Sequence, residues 1–491
     1  MFIRSLILFV CLAQIPALGQ TKFTVSGYVK DAANGEALIG ATIYIKSLLT
    51  GATTNVYGFY SLTLQSGNYD IEISYIGFNT QQRSLVLSEN TRLDIELQSE
   101  EKQLDEVVVI STKDQEGVKA LEMSTNRLDI KTILKIPAFL GEADVIKSIQ
   151  QLPGVSTVGE GASGFNVRGG SVGQNLILLD EATVYNSSHL LGFFSVFNPD
   201  AVKDTKLYKG AIPAQFGGRI ASLLDVRMKE GNNKNYEVNG GIGTIFSRAA
   251  VEGPLFKGDG SFIVAGRRSY ADVLARPFVD VLQDGGALNF YDLTGKANYN
   301  INSRNRIFVS GYTGRDNFFF DKNQGFTWGN NTGTIRWNKI FNDRLFANFS
   351  GIFSRYDYSL QFGENDLDNF KWKSSIRNFT FKPAFSYFLN SNNEISFGAE
   401  ANYYSFEPAN ASGTSSGEKV DISLPEKYNL ESALYLGNSQ RLSSKISIDY
   451  GIRYSYFAGF GPGTQYTYND TIPGRRRTPV SSDTFEQGEV T

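Results

Sequence analysis

The sequence predicts a mainly β protein in three parts: a small β-sandwich, a mixed α+β region, and a wall of long strands able to cross a membrane. Three observations carry that prediction. Residues 22–98 hold short alternating runs punctuated by glycine, and residues 112–230 interrupt that pattern with one helical stretch. From about residue 231 the chain settles into long two-residue alternation. After residue 20 no apolar stretch reaches the roughly 18 residues that a membrane helix needs, which leaves strands for any crossing.

Composition agrees with a β protein. The 491 residues include Gly 49, Phe 36 and Tyr 25 against only 13 Pro. Lys+Arg 47 against Asp+Glu 50 gives a net charge of -3, which lacks the basic footprint of a nucleic-acid binder. Residues 1–19 read as an export signal: Arg4 supplies the charged start, Leu6 to Leu12 the apolar middle, and Ala17-Leu18-Gly19 a small-x-small cleavage site. Val10 stands where a lipoprotein signal carries a small residue before Cys11. Cys11 is the single cysteine, so removal of the signal leaves no thiol for a disulfide.

The first part, residues 20–98, begins Phe23-Thr24-Val25-Ser26-Gly27-Tyr28-Val29 and turns at Asp31 to Gly35. Further runs follow at Ala41 to Ile45, Phe59 to Leu64, Tyr69 to Tyr75, Ser84 to Leu87 and Leu93 to Leu97. That spacing predicts a sandwich of about seven strands, Ig-like or transthyretin-like. The strings SGYVKDAANGEALIGATIYI and TNVYGFYSLTLQSGNYDIEISYIGF resemble the carboxypeptidase regulatory-like domain. The resemblance does not imply a peptidase, because a zinc carboxypeptidase needs two His ligands and this chain has only His189.

Residues 99–111 form a linker in which Asp105 and Glu106 precede Val107, Val108, Val109 and Ile110. Two acids before four β-branched residues favour an extended strand. The plain reading is one more strand of the sandwich; the other is a tethered strand offered to a partner's sheet edge. The string LDEVVVIS resembles the TonB box of Bacteroidota receptors. It implies TonB, with its inner-membrane energising complex, as the partner.

In residues 112–230, Ala143 to Leu152 has helical spacing and stops at Pro153-Gly154. The glycine-rich stretch Gly159 to Gly173 lacks the GK[ST] ending of a phosphate loop, so nucleotide binding is not expected, and no cofactor is. The strings FNVRGG, LILLDEATVYN and NPDAVKDTKLYKGAIPAQFGGR, in this order, resemble the plug domain of TonB-dependent receptors. Candidate residues follow from that placement. Arg168, beside Gly169 and Gly170, and Arg219, beside two glycines, would be enclosed by a barrel, where a buried guanidinium must find carboxylates. Ion pairs to the wall are the plain reading and ligand contact the sharper one. Asp180, Glu181, Tyr185 and Asn186 are expected on an outward-facing plug loop, and His189 on a plug loop within reach of ligand.

From 231 to 491, about eleven strands alternate, with joins that are short and long in turn; outer-membrane barrels pair short periplasmic turns with long outer loops. The long joins are expected at 271–289, 315–331, 357–374 and 407–427, and residues 459–491 as a further loop. Eleven strands leave an open sheet, whereas large plugged transporters have about 22. This reading therefore expects the first half of a barrel. The resemblance implies a receptor in the Gram-negative outer membrane, its N-terminal domain in the periplasm, importing a siderophore, cobalamin, oligosaccharide or peptide. A non-transporting surface-display or adhesive barrel is the alternative, and an enzyme is not expected. The string FNVRGGSVGQNLILLDEATVYN departs from the SusC-type pattern, which runs toward a VDGVP-like turn; that departure counts against a SusD-like lipoprotein partner.

Overall fold

The computed structural model describes residues 21–100, 124–136, 142–159, 164–365, 368–415, 417–443, 446–468 and 478–490. The expected signal at 1–19 and the strand-forming Asp105 to Ile110 lie outside the described residues.

The N-terminal part is a sandwich of two four-stranded sheets. Strand Lys22–Asp31 pairs with Phe59–Gln65 and, in parallel, with Thr91–Arg92 and Ile95–Leu97. The second sheet orders Thr50–Thr53, Thr42–Ile45, Gly67–Ser74 and Gln81–Leu87. Alternate residues of both, among them Val25, Val29, Ile43, Ile73 and Ile95, fill one dry core. Gly27 is required where the chain passes the 91–97 segment, because a Cβ there would sit 2.1 Å from the Leu93 carbonyl oxygen. The expected last strand divides in two at this crossing.

The middle part packs helix Val145–Gln150 on a five-stranded sheet. The Asp144 carboxylate caps the helix by accepting from the Lys147 amide at 2.9 Å. Val145, Ile146 and Ile149 form its buried face against Leu179, Leu224 and Val226. The sheet orders Ala182–Thr183, Asn175–Leu179, Ser222–Met228, Val202–Tyr208 and Thr125–Asp129.

The wall is a sheet of consecutive antiparallel strands: Glu237–Ile242, Phe246–Leu255, Gly260–Ser269, Ala287–Asn302, Asn305–Phe319, Gly325–Asn342, Leu345–Asn365, Asp368–Asn390, Asn393–Ser415, Lys427–Arg441 and Ser447–Phe460. Its polarity inverts that of a soluble protein. Asp292, Thr294, Lys296 and Asn298 are buried, whereas Leu293 and Ile301 between and beyond them are exposed. Asn378, Thr380 and Lys382 are buried while Phe379 and Phe381 are exposed. Trp337, Phe349, Phe385 and Phe397 form a chain of ring contacts on four neighbouring strands of the outer face, stacked in the first and last pairs and edge-to-face between Phe349 and Phe385. Such an apolar exterior, bordered by aromatics, is what a lipid-facing barrel wall presents.

The ends of the strands differ from expectation. The segments 315–331, 357–374 and 407–427 are largely paired strand, and Glu418–Ser423 adds a twelfth strand against Asn393–Ser415. Cross-strand aromatics support the extension: Phe318 stacks on Phe326 at 4.9 Å, and Phe326 meets Tyr358 of the next strand at 6.5 Å. The 271–289 connection does break from strand, into helices Ala271–Ala275 and Asp280–Gln283. The expected loop after residue 459 contains a hairpin, Gly463–Tyr468 with Pro479–Phe485.

The sandwich lies at the short-turn end of the wall. Ser61 Oγ donates to the Asp343 carbonyl at 2.6 Å, and Arg344 Nε donates to Thr24 Oγ1 at 3.0 Å.

Candidate functional site

The middle domain is fastened to the wall by two buried clusters of charge, and these form the candidate site. The first is built on the tight turn between Asn175–Leu179 and Ala182–Thr183, where Asp180 and Glu181 both have positive φ, 47 and 77. Asp180 Oδ2 pairs with Lys296 Nζ at 2.9 Å, and its backbone carbonyl accepts from Arg336 at 3.2 Å. Glu181 pairs with Arg227 and Arg336, each at 3.2 Å, and accepts from Ser350 Oγ at 2.7 Å. Burial opposes the charge on Glu181, but Arg336 and Arg227 hold its carboxyl well below the usual carboxylate range. These two acids do not lie on an outward-facing loop, as the sequence suggested. Lys296, Arg336 and Ser350 are buried residues within the wall strands, and the turn geometry aims both carboxylates sideways at them.

The second cluster centres on His189, in the two-residue ladder Ser188–His189 with Phe194–Ser195. Its Nδ1 lies 2.6 Å from Asp316 and its Nε2 3.3 Å from Asp292, both on wall strands. The ring stacks on Phe290 at 4.4 Å. Asp292 in turn binds Arg267, whose guanidinium also reaches Glu142 and the Ser195 carbonyl. Burial alone would push the imidazole down; the Asp316 and Asp292 carboxylates override it and raise it to about 9. At neutral pH His189 is therefore a cation with both N–H groups committed to the wall. That leaves it poorly placed as a general base or a ligand contact.

Between the clusters the fastening is neutral. Asn330 Nδ2 donates to the Asn186 carbonyl at 2.7 Å, and Tyr185 Oη donates to Asn378 at 3.0 Å. Arg168 and Arg219 depart from expectation, because both side chains are exposed. Arg168 donates to Ser124 Oγ at 2.9 Å and Arg219 to the Gly218 carbonyl at 2.8 Å, and neither meets a carboxylate among the described residues. Each lies on a tight turn that projects from the domain rather than into it; Arg168 itself has φ 48. Gly169 has φ 82, and a Cβ on Gly170 would sit 2.4 Å from Ala221 Cβ, so this glycine pair serves the turn and its packing. Arg219 borders a cavity of about 310 Å³ between middle domain and wall, shared with Tyr185, Lys382 and Glu431.

Sequence reasoning singled out Asp180, Glu181 and His189 but not their partners Arg227, Arg336, Asp292 and Asp316, nor Arg267 behind Asp292. For Arg267, Arg336 and Asp316 the available signal was alternation phase, since each occupies an inward position of a wall strand where no water solvates a lone charge; Arg227 lies in a strand buried throughout and gave no such signal.

Comparison with known proteins agrees with this geometry. Residues 25–109 match the CarboxypepD_reg-like domain, and residues 129–222 match the TonB-dependent Receptor Plug Domain. The TonB-dependent receptor SusC of Bacteroides thetaiotaomicron is 27% identical over 254 residues, which is 48% of this chain and 24% of that protein. The TonB-dependent receptor P3 of Formosa agariphila is 31% identical over 86 residues, 18% of this chain and 8% of that protein. The chain thus covers about a quarter or less of these relatives. Among solved structures, a mutant ferric enterobactin receptor of Pseudomonas aeruginosa superimposes with TM-score 0.51 at 13% identity, over 69% of this chain and 59% of that one. The copper transporter OprC does so with TM-score 0.53 at 11% identity, over 74% and 59%. At such identities the likeness is one of fold. A region matching the regulatory-like domain, a region matching the plug domain and a wall of long strands follow one another in this order, and in this the chain resembles TonB-dependent receptors of Bacteroidota type.

Proposed function

We propose that the chain serves an outer-membrane receptor that binds a scarce extracellular nutrient and imports it into the periplasm, using energy drawn from the inner-membrane proton gradient. The observation that carries this reading is the seal: a folded domain lies against the polar face of the wall and is joined to it by buried ion pairs, with only small apolar clusters such as Leu190 and Phe194 on Phe246 and Phe290 beside them. Charged contacts between preformed surfaces can be exchanged for water when the plug is displaced, whereas a shared apolar core resists such exchange. The lipid-facing wall supports an outer-membrane setting, and the short-turn end, with the sandwich beneath it, is read as the periplasmic side. The proposed organisation is signal 1–19, sandwich 20–98, linker 99–111, plug 112–230 and wall 231–491.

The ligand is a siderophore, cobalamin, oligosaccharide or peptide. Growth of a deletion strain on defined iron, cobalamin, glycan and peptide sources identifies which. The similarity to SusC gives a SusD-like lipoprotein partner some support against the departure in the plug string. Co-purification from the outer membrane decides that point.

In this reading Asp105 to Ile110 is the strand that TonB engages through backbone hydrogen bonds. The regulatory-like family match runs to residue 109, so the test must separate coupling from folding. Proline at Val108 removes one donor and fixes φ. With Val108→Pro, uptake of the identified nutrient is expected to stop while its binding to the cell surface persists. Continued uptake would overturn the coupling role. Loss of binding as well would make the segment a structural strand.

A further inference from the structure

The sandwich reaches further into the barrel than a tethered module needs to. Its 54–58 turn carries Tyr57, whose Oη donates to Glu181 at 2.7 Å. The Tyr57 ring stacks on Phe346 of the wall at 5.4 Å, and the Arg336 guanidinium lies 5.5 Å from its centre. Phe59 follows, 5.4 Å from Phe346 and 5.9 Å from Phe388. One side chain of the N-terminal domain thus belongs to the same buried cluster that fastens the plug. Burial first, and the Glu181 charge next, push the Tyr57 hydroxyl far above its ordinary range, so it stays a donor at any physiological pH.

The rest of the contact is polar and addresses the plug and the wall together. Lys203 Nζ donates to the Ala37 carbonyl at 2.6 Å, and Arg127 Nη1 to the Ile39 carbonyl at 3.0 Å, both from the plug sheet. The Glu230 amide, at the plug's exit, donates to Glu36 at 2.5 Å. Ser26 and Ser61 both bond Asp343 in a short wall turn. A contact made of a few aromatic rings and many backbone carbonyls resembles a reversible domain interface more than a permanent core.

We propose that the N-terminal domain is a latch on the plug: docked, it closes the short-turn mouth and holds the Asp180–Glu181 turn through Tyr57, and it must undock before the plug can move. Removing Tyr57 takes a donor from a buried carboxylate and admits water to the pairs that Glu181 makes with Arg227 and Arg336. Hydration weakens such pairs, so undocking lowers the resistance of the whole cluster. The purpose of the latch rests on the import reading; its existence does not.

The test uses the whole receptor in outer membranes, with hydrogen exchange of the 175–183 amides as the readout. Tyr57→Phe keeps the ring and deletes only the donor. It is expected to speed exchange about tenfold, since a hydrogen bond to a charged group contributes roughly that factor or more. Tyr57→Ala is expected to speed it further. A second variant carries Ser26→Cys with Asp343→Cys, bridged by a reducible bis-methanethiosulfonate. Bridging is expected to be efficient, to slow exchange below wild type, and to reverse on reduction. Wild-type exchange in Tyr57→Phe, or failure of the pair to bridge, would overturn the latch. An exchange result as expected, in a receptor that takes up no nutrient, would keep the latch and reject the import reading instead.

Discussion

At the scale of the residue, His189 shows how a buried charge is justified by its neighbours. It faces Asp316 and Asp292, with Tyr312 at 3.1 Å and Arg267 and Glu142 beyond Asp292. Its folded value of about 9 lies above the ordinary histidine value of 6.5, so the stabilisation is complete below that ordinary value and lost as pH rises through about 9. The difference corresponds to on the order of 3 kcal/mol of plug anchoring. Exchange of the 186–195 amides is therefore expected to accelerate between pH 7 and pH 10, after correction for intrinsic rates. His189→Gln keeps one hydrogen bond but no charge, and is expected to abolish that dependence while accelerating exchange at pH 7. A pH profile identical in the variant and the wild type would refute the assignment. Glu181→Gln leaves Arg336 without its carboxylate, while Arg227 keeps Asp225 at 2.9 Å, and is expected to cost roughly 3 kcal/mol in a urea titration of plug exchange. The same scale shows where reading a sequence stops. Arg168 and Arg219 were singled out by their glycine neighbours, yet turn geometry directs them out of the cluster, while Arg227 hides in an unremarkable closing strand. Which cation meets which acid is decided by tertiary register, and no single segment records it.

At the scale of the element, alternation was legible because burial on one face imposes a period of two. The strand succession of the wall, its short turns at 302–305, 342–345 and 390–393, and the helix at 145–150 are all readable from local pattern. The far ends were not, because polar and aromatic residues mix there without strict alternation, and pairing is held by cross-strand rings instead. The phase of each strand makes a prediction. Ile335 is 63% exposed on the outer face, between buried Thr334 and Arg336. Ile335→Lys is expected to destabilise the barrel by roughly 2–4 kcal/mol in a bilayer, and much less in a loose detergent micelle. Equal cost in both media would mean that this face does not meet hydrocarbon.

At the scale of the molecule, three separately folded parts share one interface near Glu181. Each part was legible as a unit, since its core residues are local in sequence. Their mutual contact was not, because it joins Tyr57, Glu181 and Arg336 across nearly three hundred residues. With its apolar side chains outward, the chain is expected to stay with the membrane pellet through an alkaline carbonate wash and to leave it only in detergent. Release by carbonate alone would contradict the lipid-facing wall. The long hairpins have a further consequence. Asp368–Asn390 and Asn393–Ser415 are 23 residues each, about 75 Å along the strand. Tilted as barrel strands are, they stand roughly 55 Å tall against an apolar band of about 25 Å. The end of the sheet away from the short turns is thus a stiff parapet standing beyond the apolar band. A bulky partner approaching from that end meets the rim of the sheet before it meets the plug, and an epitope tag spliced after Asn365 is expected to be bound by antibody on the intact protein.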